Sequence, residues 1–154
     1  MQARNAAFVV IAVALTFVAA AGGTSTAVKQ RVAITANAGV DRFTLVPLSP
    51  GALGTDSGSV EWCCWGSRNL VRDGQNVLVN DPRATLTGKR GTLVLRTRIE
   101  WLDAGNGYTV GISTWRVVMG TGAYKGATGG GRGASSWIPR GPVSFRDEGF
   151  LISK

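Results

Sequence analysis

Histidine is absent from this chain. The usual general base near neutral pH and the commonest metal ligand are therefore both missing. Ser-His-Asp and Cys-His catalysis are excluded with it. Any catalysis has to rest on Asp, Glu, Tyr, Lys or Cys, and Asp56, Glu61, Asp73, Glu100 and Tyr124 are candidates by residue type. Such groups do chemistry only where burial or a neighbouring charge shifts their pKa. A calcium site at "DAGNG", Asp103 to Gly107, offers one carboxylate and one Asn. Calcium takes about six to eight oxygens, so no metal site is expected there.

Both cysteines lie in "EWCCW", Glu61 to Trp65. Neighbours on a strand point to opposite faces, and their Cα atoms, about 3.8 Å apart, are too close for ordinary disulfide geometry. A Cys63–Cys64 bond therefore requires a turn or a distorted peptide. Free thiols, a vicinal disulfide and an intermolecular bridge all stay open. On a plain strand, Cys64 shares a face with Val60 and Trp62, while Cys63 and Trp65 face the other way. Two cysteines alone are too few for a thiolate metal site.

The stretch "GTGAYKGATGGGRG", Gly120 to Gly133, has seven glycines in fourteen residues. A P-loop needs Gly-Lys-Ser/Thr after its first glycine and four intervening residues, and that string does not occur. A dinucleotide fingerprint needs a third glycine where Lys125 stands, and a helix after it. A linker does not fit either, because "STWRVVM" before the stretch and "SSWIP" after it are strand-like and Tyr124 sits inside it. The segment reads as an ordered turn running into a strand whose small side chains permit close approach.

The elements around these residues are strands. In Gly91 to Trp101, Leu93, Leu95, Thr97, Ile99 and Trp101 alternate with Thr92, Val94, Arg96, Arg98 and Glu100. That period of two marks a half-buried strand. After the "DAGNG" turn, Tyr108, Val110 and Ile112 have one parity and Trp115, Val117 and Met119 the other. The phase change predicts a β-bulge at Ser113 to Trp115. Shorter strands are predicted at 29–36, 41–48, 57–65, 75–80, 83–88 and 142–152, with a tight hairpin turn at Asp73-Gly74. No helical period appears past the N-terminus, so the fold class is all-β, a barrel or sandwich of antiparallel neighbours.

The segment "WRVVMGTGAYKGATGGGRG" resembles the G-T-G-x-[YF]-x-G-x-x-G segment of the allene oxide cyclase and dirigent protein superfamily, and is most similar to its small secreted bacterial members. "TLTGKRGTLVLRTRIEW", Thr85 to Trp101, is similar too, and the likeness runs from Asp41 to Phe150. The resemblance implies a calycin-like, eight-stranded antiparallel barrel with a central cavity. It also implies apolar or phenolic ligands and no cofactor. The family's acidic and basic pocket motifs are not matched position by position, so no catalytic residue carries over.

Phe8 to Ala21 is an uncharged apolar run behind Arg4, followed by "AAAGG" and "STAV". Its length and small-residue flank are those of a secretory signal peptide over residues 1–27, with cleavage after Ala21 or Ala27, and an uncleaved N-terminal anchor is the rival reading. That leaves a single domain over residues 28–154, a secreted destination and no transmembrane span in the mature chain. The chain carries 17 Lys+Arg against 9 Asp+Glu, a formal +8 that becomes +7 when Arg4 is removed. Such a balance favours anionic cell-surface polymers, and the scattered basic residues argue against specific nucleic-acid binding.

Three functions follow. The first is a barrel that binds a small apolar or aromatic ligand, with Trp62, Leu93, Leu95, Trp101, Trp115 and Tyr124 as candidate contacts. Each tryptophan, Trp65 and Trp137 included, serves equally as core, the commoner use of aromatics. The second is a cofactor-independent cyclase or isomerase. The third is a basic protein that sets Arg96, Arg98, Arg116 and Arg132 against polyanions.

Overall fold

The structure is a computed structural model that describes residues 27–153. Residues 1–26, nearly all of the segment expected to be a signal peptide, lie outside the described residues. Ten strands follow one another: β1 (Val28–Ala38), β2 (Arg42–Pro47), β3 (Asp56–Cys63), β4 (Ser67–Arg72), β5 (Gln75–Asn80), β6 (Arg83–Gly88), β7 (Gly91–Gly105), β8 (Tyr108–Gly120), β9 (Thr128–Trp137) and β10 (Val143–Ser153). A 3-10 turn at Gly122–Tyr124 is the only helical element among the described residues. No helix there is long and apolar enough to cross a membrane.

Eight strands close into an antiparallel barrel in the order β1–β2–β3–β6–β7–β8–β9–β10 and back to β1. Closure leaves the main barrel wall without free edges. The long β7 has room for two partners along one edge. β6 pairs with its first part, Gly88 opposite Gly91 through Arg83 opposite Arg96. β5 pairs farther on, with Leu78 opposite Trp101. Asp81-Pro82 separates the two partners; Thr97 N–H still donates to the Pro82 carbonyl, while Pro82 has no donor of its own. The β4–β5 hairpin thus raises the wall at one end, turning through Asp73 and Gly74, both at positive φ.

The predicted alternation along β7 is present in part: Arg96 is exposed, but Val94, expected on the other face, is also buried beside the Val94/Leu95 register shift, while Leu93, Leu95, Thr97 and Ile99 are buried as expected. They join Val32, Ile34, Phe43, Leu45, Val60, Leu86 and Leu151 in one core. The bulge expected at Ser113 to Trp115 does not exist. Pairing runs unbroken there, and the register shifts lie at Val94/Leu95 and Asp103/Gly105. Gly111, Ser113 and Trp115 all face inward, while Val110 and Ile112 are 47% and 58% exposed on the outside. The apolar residues of early β8 stand on the outer wall because the inner positions must be small. A side chain on Gly111 would strike the Trp101 ring and Ser135 Oγ.

The two ends of the barrel differ. At the first, the 3-10 turn folds under the wall and Gly122, at φ +57, approaches the Arg90 carbonyl where a Cβ would clash. Tyr124 is buried there, and its hydroxyl donates to Asp56 at 2.9 Å. The Asp56 carboxylate also accepts from the backbone N–H of Ser57, Lys89 and Arg90. This end is closed. At the opposite end β3 stops at Cys63, and Cys64, at φ +61, breaks the alternation. Trp65 consequently turns toward the mouth of the barrel rather than away from it. Cys63 and Cys64 are both unbonded.

Candidate functional site

The open end holds a cavity of about 680 Å³. Its apolar wall is Trp65, Leu78, Trp101, Trp137, Val143 and Phe145, and Asn69, Asn76, Asn80 and Asp103 add the few polar groups. Each position follows from strand geometry. β7 and β10 deliver Trp101 and Phe145 on their inward parity, and β5 brings Leu78 opposite Trp101. The Cys64 turn supplies Trp65, and the last residue of β9 supplies Trp137.

Four of the aromatic rings form a chain. Trp65 lies 5.8 Å from Trp62, Trp62 lies 4.6 Å from Phe145, and Phe145 meets Trp101 edge-on at 6.2 Å. Trp65 and Trp137 are about half exposed and form the lips. A mostly apolar concavity with a few placed polar groups is the form that small-molecule sites take.

Of the candidate contacts, Trp101 is on the cavity wall. Trp62 stands behind it, half-buried against Phe145. Leu93, Leu95 and Trp115 are buried in the packed core, and Tyr124 is at the closed end. Of the catalytic candidates, only Asp56 and Tyr124 are brought together, by their hydrogen bond at the closed end; the others are dispersed. Asp56 is fully engaged at the closed end, Glu61 is exposed, and Asp73 sits in the β4–β5 turn. Glu100 is on the outer wall between Arg72 and Arg98.

A carboxyl that was not among those candidates sits inside the barrel. Asp147 follows Phe145 on the inward face of β10 and is 7% exposed. Ser113 Oγ donates to it at 2.7 Å. The register places Ser113 on β8, Gly133 on β9 and Asp147 on β10 in one line. The hydrogen bond therefore crosses over β9, and a Cβ on Gly133 would strike both of its atoms. Trp115 uses the same device one step on, opposite Gly131 with its ring against Gly149. This accounts for the glycine-rich stretch: alternate glycines on the inner face of β9 leave the space that larger inward side chains occupy. The sequence signal was an acid sharing the parity of Phe145 and Leu151.

Burial pushes the Asp147 carboxyl above the usual carboxylate range, and the Ser113 hydrogen bond only partly opposes it. A folded pKa above the unfolded one gives stability that is present below the unfolded value and lost as pH rises through the folded one. Asp147→Asn is isosteric and cannot ionise. Its melting temperature should gain on the parent as pH rises from 4 to 8. A difference independent of pH would contradict a raised pKa at Asp147.

Among the described residues no group of three or more Cys, Asp or Glu is placed to hold a metal ion. Compared with known proteins, the chain matches no family model, no curated protein and no solved structure.

Proposed function

We propose that this is a secreted barrel that carries a small apolar or aromatic ligand in its open-end cavity. The observation that carries this reading is the aromatic-lined space of about 680 Å³ around Trp101 and Phe145. An exposed apolar concavity is costly to keep in water, and a ligand of matching surface removes that cost. The likeness of the Trp115 to Gly133 segment to the allene oxide cyclase and dirigent barrels supports the same ligand class. Apolar and aromatic groups find a wall here, and Asn76, Asn80 and Asp103 can orient one polar substituent.

The test is a fluorescence titration with N-phenyl-1-naphthylamine, a neutral aromatic dye. The parent should bind it saturably. Trp101→Ala should bind it at least about tenfold more weakly, since losing one large aromatic contact is worth 1.4 kcal/mol or more. Equal binding by both proteins would contradict the site.

A second reading, a cofactor-independent cyclase or isomerase, is favoured by Asp147 alone. Asp147 is inside the barrel but sealed from the cavity lining. Binding without turnover should survive Asp147→Asn, whereas catalysis through this group should not.

A further inference from the structure

The outer wall of the barrel carries charges that its own carboxylates do not balance. Arg83 on β6 stands opposite Arg96 on β7, and Arg96 stands opposite Arg116 on β8. One step along, Arg98 and Arg132 flank Thr114 across the same strands. Neighbouring strands are about 4.8 Å apart, so the first three arginines form one continuous row. Like charges directly opposite one another destabilise a sheet.

The nearby acids are mostly engaged elsewhere, and only Arg132 has one, Glu148, directly opposite it. Glu100 pairs with Arg72 and Arg98, Asp81 with Arg68, and Glu148 with Arg31 and Arg146. Among the described residues, Arg83, Arg96, Arg116 and Arg132 form no ion pair. Beside them the wall is indented, with a recess of about 330 Å³ lined by Arg96, Arg98, Thr114, Arg116 and Asp81, whose charge is already taken by Arg68.

We infer that this face is a docking surface for a linear acidic polysaccharide bearing one carboxylate per sugar. The guanidinium fork donates two parallel hydrogen bonds to a carboxylate, and the recess sets Arg96 and Arg116, neither of them ion-paired among the described residues, beside one such group. The row from Arg83 to Arg116 gives successive charges of a chain successive partners. Thr114, seated in the recess, offers a hydroxyl to a polymer rich in hydroxyls.

Two other polyanions fit less well. Sequence-tolerant binding of single-stranded nucleic acid uses aromatic faces on which bases stack. Trp115 borders the recess but is buried with its ring inside the barrel, and Lys29 Nζ covers the ring of Phe150, across Gly130 from Arg116, at 4.1 Å, so neither offers a stacking face. A bilayer surface meets a convex barrel wall along a narrow line, whereas a polymer chain follows it round. The surface lies outside the cavity, so it stands or falls independently of the ligand reading.

The experiment measures binding of fluorescently labelled polygalacturonate by anisotropy over a range of salt. The parent should bind at low salt and lose affinity steeply as salt rises. Arg96→Gln/Arg116→Gln should bind at least tenfold more weakly, with a salt dependence shallower by about two ions. Arg42→Gln/Arg140→Gln removes two charges elsewhere and should stay within about threefold of the parent. The melting temperature of Arg96→Gln/Arg116→Gln should equal or exceed that of the parent, because repulsion is relieved. Four results would overturn the inference. They are no binding by the parent, equal losses in the two double variants, a lowered melting temperature of Arg96→Gln/Arg116→Gln, or binding at least as tight to oligothymidylate or phosphatidylglycerol vesicles.

Discussion

Asp56→Ala should destabilise the barrel by about 3–5 kcal/mol, read from urea unfolding. The carboxylate is buried and accepts four hydrogen bonds, three from backbone N–H groups of β3 and the β6–β7 turn and one from Tyr124. Alanine leaves three part-buried backbone donors and the buried Tyr124 hydroxyl without their acceptor. Tyr124→Phe removes a single bond and should cost about 1–2 kcal/mol. Burial, then the Asp56 hydrogen bond, raises the Tyr124 hydroxyl above the ordinary tyrosine value. The tyrosine stays a neutral donor through neutral pH, and the ordering of the two variants should hold there. A cost below that of Tyr124→Phe for Asp56→Ala would mean that this network does not close the barrel.

Gly133→Ala should cost about 2–4 kcal/mol, more than Ser113→Ala, although alanine adds only one methyl. The methyl has no free space. It would meet Asp147 Oδ1, Ser113 Oγ and the Arg146 carbonyl. The hydrogen bond across β9 would break and the Asp147 carboxyl would be left buried without its donor. Gly126→Ala is the useful comparison, because its added Cβ meets open space and only its φ of +71 resists the change. If Gly133→Ala and Gly126→Ala cost the same, the glycines of β9 serve the backbone alone, and the crossing hydrogen bond has no part in holding the barrel.

Much of the fold was legible because β-strands write their burial in a period of two. Leu93, Leu95 and Ile99 announced β7, and Asp73-Gly74 announced a hairpin. The all-β class and the ordered glycine segment with Tyr124 buried in it agree with that reading, and the closed eight-strand barrel agrees with what the resemblance implied, periodicity alone having left barrel or sandwich open. What failed did so for identifiable reasons. Val110 and Ile112 are apolar residues on an outer wall, and parity alone could not say that Gly111 and Ser113 were the buried face. β4 was not predicted, because Ser67 to Arg72 is polar and exposed and has no buried face to impose a pattern. Trp65 was placed on the wrong side because the left-handed Cys64 resets the strand, and φ is not written in residue type there.

The site was less legible than the fold. Strand parity says which side chains point inward but not at what height in the barrel they end. Leu93, Leu95 and Trp115 point inward and are core; Trp101 points inward and is cavity wall, because it lies beyond the last packed layer of β7. Asp147 was hidden by its surroundings in "FRDEGF", where three of six residues are charged and the inward one is not distinguished by type.

The most direct test of the ligand cavity uses the five tryptophans as reporters. Each indole N–H gives one resonance in a nitrogen-edited proton NMR spectrum, assigned by single substitutions. Saturating N-phenyl-1-naphthylamine should shift the resonances of Trp65, Trp101 and Trp137, which line the open end, and leave that of Trp115, which is sealed in the core. Unmoved mouth resonances at saturation, or shifts centred on Trp115, would contradict the account.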